Sequence, residues 1–285
     1  MKKYGLEILL IIAFIVASGL GVYNTRIFEL EPVTNVYGDI VQLFGRGIYA
    51  YESLFQGPIF VGTDFVILHV VIPLFIIFLI KADLTKQSHV LIKLGFLTVF
   101  IYYSINLAFG LMMNRLFLVY IIAFSTSFFL LIQTVRIINF EQLTMQISMG
   151  KMPKFLVGFL IIAGLSVSVW FFEIFELFHS RRPSEIIGMK TTEPTFILDL
   201  ALIGPLCFIA AYNVRRDKAI GYVIGFMMLS LLAAIGLIVI AQTATQYYFG
   251  VTISIQEFTV YVGIFILLSS IAFNYLRVLM KGVLR

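Results

Sequence analysis

The chain has 285 residues, of which 61% are hydrophobic and 12% charged, with a mean hydropathy of +1.03 and a formal net charge of +5. A soluble domain carries about 25% charged residues, so the composition excludes a water-soluble globule and leaves a helix bundle or a closed barrel in lipid. The positive balance does not imply nucleic acid, because membrane proteins hold Lys and Arg in their cytoplasmic loops; the single cysteine, Cys207, excludes an internal disulfide and a cysteine-based metal site.

The apolar runs do not alternate and are about 17–24 residues long, which fits helices that cross a hydrocarbon layer of about 30 Å and argues against barrel strands. The fold expected is therefore all-α, a polytopic bundle of eight spans forming one integral membrane domain over residues 1–285. The spans are placed at about 5–24, 64–81, 89–111, 116–135, 154–176, 196–213, 219–241 and 258–278. The first follows Met1-Lys2-Lys3 and has the outline of a signal peptide. Its run from Ile8 to Tyr23 exceeds a typical apolar core of about 7–15 residues, and no A-x-A site follows, so it reads as an uncleaved span.

The loop over residues 25–63 is the longest. From Val36 to Phe55 it mixes apolar and aromatic residues with Asp39, Arg46 and Glu52, the composition of helices lying in the membrane interface. Gly45, Gly47 and Gly57-Pro58 are expected to break them. The second span carries Pro73. The third and fourth are joined by a tight turn around Met113-Asn114-Arg115, and the sixth carries Asp199 and Pro205. Pro73 and Pro205 are expected to kink their helices. The matching order of long loop, acid and proline suggests a parallel repeat of residues 1–140 and 150–285, although the acid-to-proline spacing is nine residues in one half and six in the other.

Orientation follows from the basic residues. With the N-terminus inside, the inner segments hold 14 of the 20 Lys and Arg and the outer segments hold 6, so both chain ends are expected to be cytoplasmic and the chain to sit in the cell membrane. Acids are distributed the other way. Asp64, Glu173, Glu176, Glu193, Asp199 and Glu257 fall at outer span ends, against Glu7, Asp83 and Asp217 at inner ends. The positive-inside rule hardly constrains acids, so topology alone does not account for this excess.

Polar side chains are expected at the same depth as the outer acids: Tyr102, Tyr103, Asn106, Asn114 and Tyr120 on the third and fourth spans, and Gln242 and Gln246 after the seventh. With Asp64, Asp199 and Glu257 they could line one outward-facing pocket for a cation, a proton or a small polar ligand. The opposing reading makes the acids solvated loop residues and the amides interhelical contacts. Glu173, Glu176 and His179 are the only metal-ligand candidates. Glu176-x-x-His179 has the spacing of dimetal carboxylate bundles, but those need a second such pair, which the sequence lacks. No metal and no cofactor is expected. H-E-x-x-H, G-x-S-x-G, C-x-x-C and the G-x-x-x-x-G-K phosphate loop are all absent.

Three stretches carry a resemblance. They are Gly62-Thr63-Asp64-Phe65-Val66 with the later Pro73; Tyr102-Tyr103-Ser104-Ile105-Asn106 with Phe109-Gly110, Asn114-Arg115-Leu116-Phe117-Leu118 and Tyr120; and Leu198-Asp199-Leu200 with Pro205 and Gly221-Tyr222. They resemble a loosely defined group of uncharacterised prokaryotic multi-span membrane proteins. That group's second motif reads closer to Tyr-Asn-Tyr, which Ser104 and Ile105 interrupt here. The resemblance implies a polytopic fold, singles out Asp64, Asn114 and Asp199, and implies no activity.

Three functions stay open at this point: a transporter or permease, an intramembrane enzyme acting on a lipid-linked substrate at the outer leaflet, and a non-catalytic membrane subunit or sensor. Cavity depth separates them. A pocket within about 10 Å of the interface suits the enzyme, a cavity reaching the midplane suits transport, and a solid bundle suits the third.

Overall fold

The computed structural model describes residues 4–149, 153, 155–180 and 185–282. Among these, eight helices are long and apolar enough to cross a membrane. They are α1 (Gly5–Tyr23), α2 (Gln56–Lys81), α3 (Gln87–Gly110), α4 (Phe117–Arg136), then, after a short helix α5 (Phe140–Met149), α6 (Leu156–His179), α7 (Pro194–Val214), α8 (Ala219–Tyr248) and α9 (Ile264–Lys281). The chain is thus an all-α polytopic bundle. An even number of crossings leaves both chain ends on one face, here the terminal face; the opposite one is the distal face.

Lipid-facing positions stay apolar. Ile8, Ile12 and Ile15 of α1 and Phe171, Phe172 and Phe175 of α6 are exposed, which in water would be a liability but in hydrocarbon costs nothing. The centre is formed by α3 and α8, in which 67% and 50% of the most apolar stretch is buried, against 28–44% in the others. Small residues permit the close approaches. A Cβ on Gly62 of α2 would come within 2.6 Å of the Gln242 backbone of α8, so these two helices touch nearly backbone to backbone.

Several boundaries differ from expectation. Helix α2 begins at Gln56, eight residues before the expected start. Gly57 and Pro58, expected as breakers, lie in its first turn, where the missing proline N–H has no intrahelical partner to lose. Asp64 therefore sits eight residues, about 12 Å, inside the helix rather than at its start. Helix α8 runs on to Tyr248 and takes Gln242 and Gln246 into its last turns.

The interfacial helices expected between Val36 and Phe55 do not form. Two short antiparallel strands, β1 (Val33–Thr34) and β2 (Ile40–Val41), pair Val33 with Val41 and Thr34 with Ile40, and a single 3-10 turn follows at Gly47–Tyr49. Gly45 and Gly47 have φ of +66° and +59°, a left-handed conformation that ends any helix there. Part of the apolar content also points inward: Phe44 and Tyr49 are buried against Gly57 of α2 and Gly21 of α1, while Val36 and Ile40 stay exposed.

Both proline-bearing helices contain a widened π-turn, Ile67–Val71 in α2 and Asp199–Ile203 in α7. The Ile72 N–H bonds to the Ile67 carbonyl and the Gly204 N–H to the Asp199 carbonyl, each five residues back. Pro73 and Pro205 follow two residues after each π-turn. In regular α-helix each ring would strike the carbonyl four residues before it, His69 or Ala201, and both of those residues lie inside a π-turn. The extra residue relieves that clash. A third π-turn, Phe258–Gly263, precedes α9.

Candidate functional site

Adjacent tyrosines on the central helix α3 hold the two aspartates of the proline-bearing helices. Tyr102 donates to Asp199 Oδ1 at 2.9 Å, and Tyr103 donates to Asp64 Oδ1. Consecutive helical positions differ by about 100° in direction, so the pair reaches a different carboxylate on each of two adjoining flanks of α3. Each carboxylate takes a second aromatic donor: Tyr49 O–H at 2.5 Å on Asp64 Oδ2, and Trp170 Nε1–H at 2.7 Å on Asp199 Oδ2. Trp170 is further fixed by stacking on Phe196 at 4.8 Å.

The two aspartates occupy different environments. Asp64 is fully buried. Its Oδ2 lies where a Cβ on Gly21 of α1 would be, and Phe14 of α1 stacks on Tyr103 at 5.5 Å. Tyr120, itself fully buried, and Asn114, whose Nδ2 donates to the Tyr120 hydroxyl at 3.2 Å, belong to this side. Burial, and then the neighbouring Asp64 carboxyl, push the Tyr49 phenol well above its ordinary pKa, so Tyr49 keeps its proton and serves as a donor.

Asp199, by contrast, lines a cavity of about 720 Å³ bounded by α2, α3, α6, α7, α8, the π-turn before α9 and the start of α9. Along α8 its lining runs from Gln246 to Leu231, 15 residues or about 22 Å, reaching the middle of the helix. Among the described residues, Glu173, Lys190, Glu193 and Asp199 are its charged lining side chains, and Lys190 pairs with Glu193. The upper wall is polar and aromatic, with Gln56, Phe60, Tyr102, Trp170, Phe196, Gln242 and Gln246. The lower wall is apolar, with Val99, Leu231, Ile235, Val262 and Phe265. A neighbouring groove of about 570 Å³, lined by Ile240, Tyr247, Phe258 and Ile266 among others, shares Thr243, Ile253 and Val262 with it.

The distal rim of the cavity is a buried polar network. Glu193 caps the start of α7, accepting from the Thr195 N–H at 3.3 Å and hydroxyl at 2.9 Å. Its other oxygen accepts from Gln56 Nε2 at 3.2 Å and faces Lys190 Nζ at 3.4 Å. The Lys190 ammonium also lies 5.0 Å from the centre of the Phe60 ring, a cation–π contact. Gln56 Nε2 donates to the Ile186 carbonyl at 2.6 Å, which ties the loop before α7 to the start of α2. Nearby, Glu52 Oε1 accepts from the Met112 N–H at 2.6 Å, while Glu52 Oε2 and Gln56 Oε1 are buried without a hydrogen-bond partner among the described residues. Burial raises the Glu52 carboxyl above the usual range and Glu193 adds to the rise; Lys190 and the Met112 amide oppose it.

The expected single layer is thus divided in two by α3. Asp64, Tyr120 and Asn114 lie on one side, and Asp199, Asn106, Gln242 and Gln246 on the other, with Tyr103 belonging to both. Asn106 Oδ1 accepts from the Thr195 hydroxyl at 3.0 Å and Gln242 Nε2 donates to Thr63 at 2.8 Å, so both also act as interhelical contacts. Gln246 Nε2 bonds to the Phe55 carbonyl at 3.2 Å. The side chains of Glu176 and Glu257 lie outside the described residues. Glu173 lines the cavity and His179 is exposed; no group of three metal-ligating side chains occurs among the described residues.

Sequence reasoning did not single out Tyr49, Glu52, Gln56, Trp170 or Lys190 as site residues. Trp170 had a usable signal: it is the only tryptophan, and a buried indole N–H requires an acceptor. Tyr49 and Gln56 had none, because their place depends on how the first loop folds back. Comparisons with protein-family models, with curated proteins and with solved structures return no match for the chain.

Proposed function

We propose that the protein is a permease-like carrier whose cavity binds an organic cation, an ammonium on a partly apolar body. The observation that carries this reading is the cavity lining at Asp199: a carboxyl group with Tyr102, Trp170 and Phe196 beside it. A carboxylate among aromatic faces suits an ammonium, which pairs with the charge and lies on the rings. The apolar lower wall suits a hydrocarbon body, and a lining that reaches mid-helix suits transport better than a shallow outer pocket. With both chain ends cytoplasmic, the polar rim faces outward.

The test is a thermal-shift series on detergent-purified protein with quaternary ammonium ions of increasing apolar size, matched to neutral and anionic analogues. Ligand binding raises the melting temperature by mass action. Shifts confined to the cations, lost in Asp199→Asn, and followed by uptake into proteoliposomes are expected. Equal shifts with neutral analogues, or none in any class, refute the reading. The continuity of the apolar groove with the cavity favours a second reading, an enzyme acting on a lipid-linked substrate whose chain lies in the groove. Chemical change of a lipid incubated with the protein, seen by mass spectrometry, would select it.

A further inference from the structure

We propose that Asp64 is a proton-binding site, separate from the cavity and loaded through Tyr103. Asp64 has no exposed surface, and its bonded partners are two phenols, Tyr49 and Tyr103. The titratable side chains that face it are Tyr49 from the first loop, Tyr103 from α3 and Tyr120 from α4. Helix α1 presents Gly21. Glu52 acts on Tyr120 from the same side. No Lys, Arg or His pairs with Asp64 among the described residues.

A lone carboxylate at this depth is costly and requires a positive charge. A metal ion with several oxygen ligands at ordinary coordination distances needs room. The space beside Oδ2 does not hold even a Cβ on Gly21. A proton needs none.

Tyr103 is the link, because it lines the cavity and also bonds Asp64. On loading, its phenolic proton passes to Asp64 Oδ1 and its oxygen takes a proton from a hydronium ion in the cavity, which leaves as water. Tyr103 ends as a neutral phenol and Asp64 as a neutral acid. The bond between them is then reversed: Asp64 donates, and the Tyr103 hydrogen turns toward the cavity. With Asp64 charged, the cavity faces a Tyr103 oxygen whose hydrogen is engaged elsewhere, which suits a cation. With Asp64 protonated, it faces an O–H donor, which does not. Proton and cation therefore compete although they bind at different places, and a carrier built so exchanges one for the other. The competition rests on the cation reading above; the proton site does not.

The test is infrared spectroscopy of the full-length protein in liposomes across acid to alkaline pH, with no substrate. A protonated-carboxyl C=O band is expected that Asp64→Asn removes and Asp199→Asn leaves. Tyr103→Phe and Tyr49→Phe keep the carboxyl group and should move the same band to higher frequency as one bond is lost; they also serve if Asp64→Asn does not fold. A spectrum unchanged by Asp64→Asn, or a band unmoved by both tyrosine variants, overturns the proposal. Calorimetry with tetraethylammonium in two buffers of different ionisation enthalpy separates the readings. Binding without proton release refutes the competition while leaving the cavity reading intact. No binding, with the Asp64 band present, refutes the cation reading alone.

Discussion

Lys93→Met should be among the most destabilising single changes at the terminal face. Lys93 and Glu7 form a buried ion pair at 2.6 Å, their side chains 6% and 7% exposed. Glu7 lies in the first turn of α1 and Lys93 in the second turn of α3. The same two helices meet again farther along, where Phe14 stacks on Phe100 at 4.8 Å, and at the distal end, where Gly21 abuts the carboxylate that Tyr103 holds. The ion pair thus fixes the register on which the Asp64 cell depends. Removing one member leaves a buried charge without its partner, a loss of about 3–5 kcal/mol, whereas replacing both by apolar groups of similar volume is about neutral. The assay is a double-mutant cycle of Lys93→Met, Glu7→Leu and the pair, read by reversible unfolding in mixed micelles. Each single variant should fall by several kcal/mol and the double variant should recover most of it. Single variants within about 1 kcal/mol of wild type, the range of a solvated pair, would refute the reasoning.

Four further outcomes are expected. Gly21→Ala overlaps Asp64 Oδ2 and should cost about 1–3 kcal/mol as overpacking, with the larger effect on the Asp64 infrared band, since the methyl must displace the carboxyl group. Tyr102→Phe removes one hydrogen bond to a buried carboxylate and should lower stability by about 1.5–3 kcal/mol by thermal unfolding, while Tyr212→Phe, a half-exposed control, should have no measurable effect. Glu52→Gln should flatten the pH dependence of stability. The folded-state carboxyl is raised, so its contribution is fully present below the ordinary glutamate pKa of about 4.3 and fades as pH rises through the folded value; the variant should gain on wild type across that window, and parallel curves would count against it. For the topology, a cysteine at Thr34→Cys in a Cys207→Ala background should react with an impermeant thiol reagent in intact cells, and labelling only after lysis would reverse the orientation.

The fold was legible because hydrocarbon imposes so few solutions. Runs such as Ile8–Tyr23 or Ala219–Ile240 can only be spanning helices, and seven of the eight expected starts fall within about six residues of the observed ones. The exception, α2, was lost because Gly57-Pro58 looks like a stop and works as a first turn. The first loop was misread for a related reason. Its aromatic content suggested a surface lying on lipid, but Phe44 and Tyr49 fold inward once Gly45 and Gly47 turn the chain, and a composition cannot say which way a side chain faces. Asp64, Asp199 and Tyr103 stood out because a carboxyl or hydroxyl in an apolar run must find a partner. Which partner each would find was not legible, since Tyr49 and Trp170 arrive from a loop and from another helix.

The unequal acid-to-proline spacings, which weakened the repeat at the sequence level, take a different meaning beside the π-turns. In both α2 and α7 the proline follows the π-turn by two residues, so the break in the helix is placed identically. Only the acid moves, by three residues, which is close to one helical turn and leaves it on nearly the same side. In α2 the acid stands one turn before the break, inside regular helix, and is sealed. In α7 Asp199 is the first residue of the π-turn, and it opens on the cavity. A π-turn is a place where helices kink and is frequent at functional sites. A movement of α7 at its π-turn would therefore carry Asp199 with it and pull on Tyr102, while Asp64 stayed held by Tyr103 one position along the same helix. Shifting the acid by a turn, through Asp199→Leu with Phe196→Asp, would put it before the break as in α2. If the acid's place relative to the π-turn matters, that variant should fold and lose the cation-dependent stabilisation that the single change Phe196→Leu, which removes only the ring beside Asp199, still keeps in part; equal ligand shifts in the two variants would mean that the position of the acid relative to the π-turn carries no function.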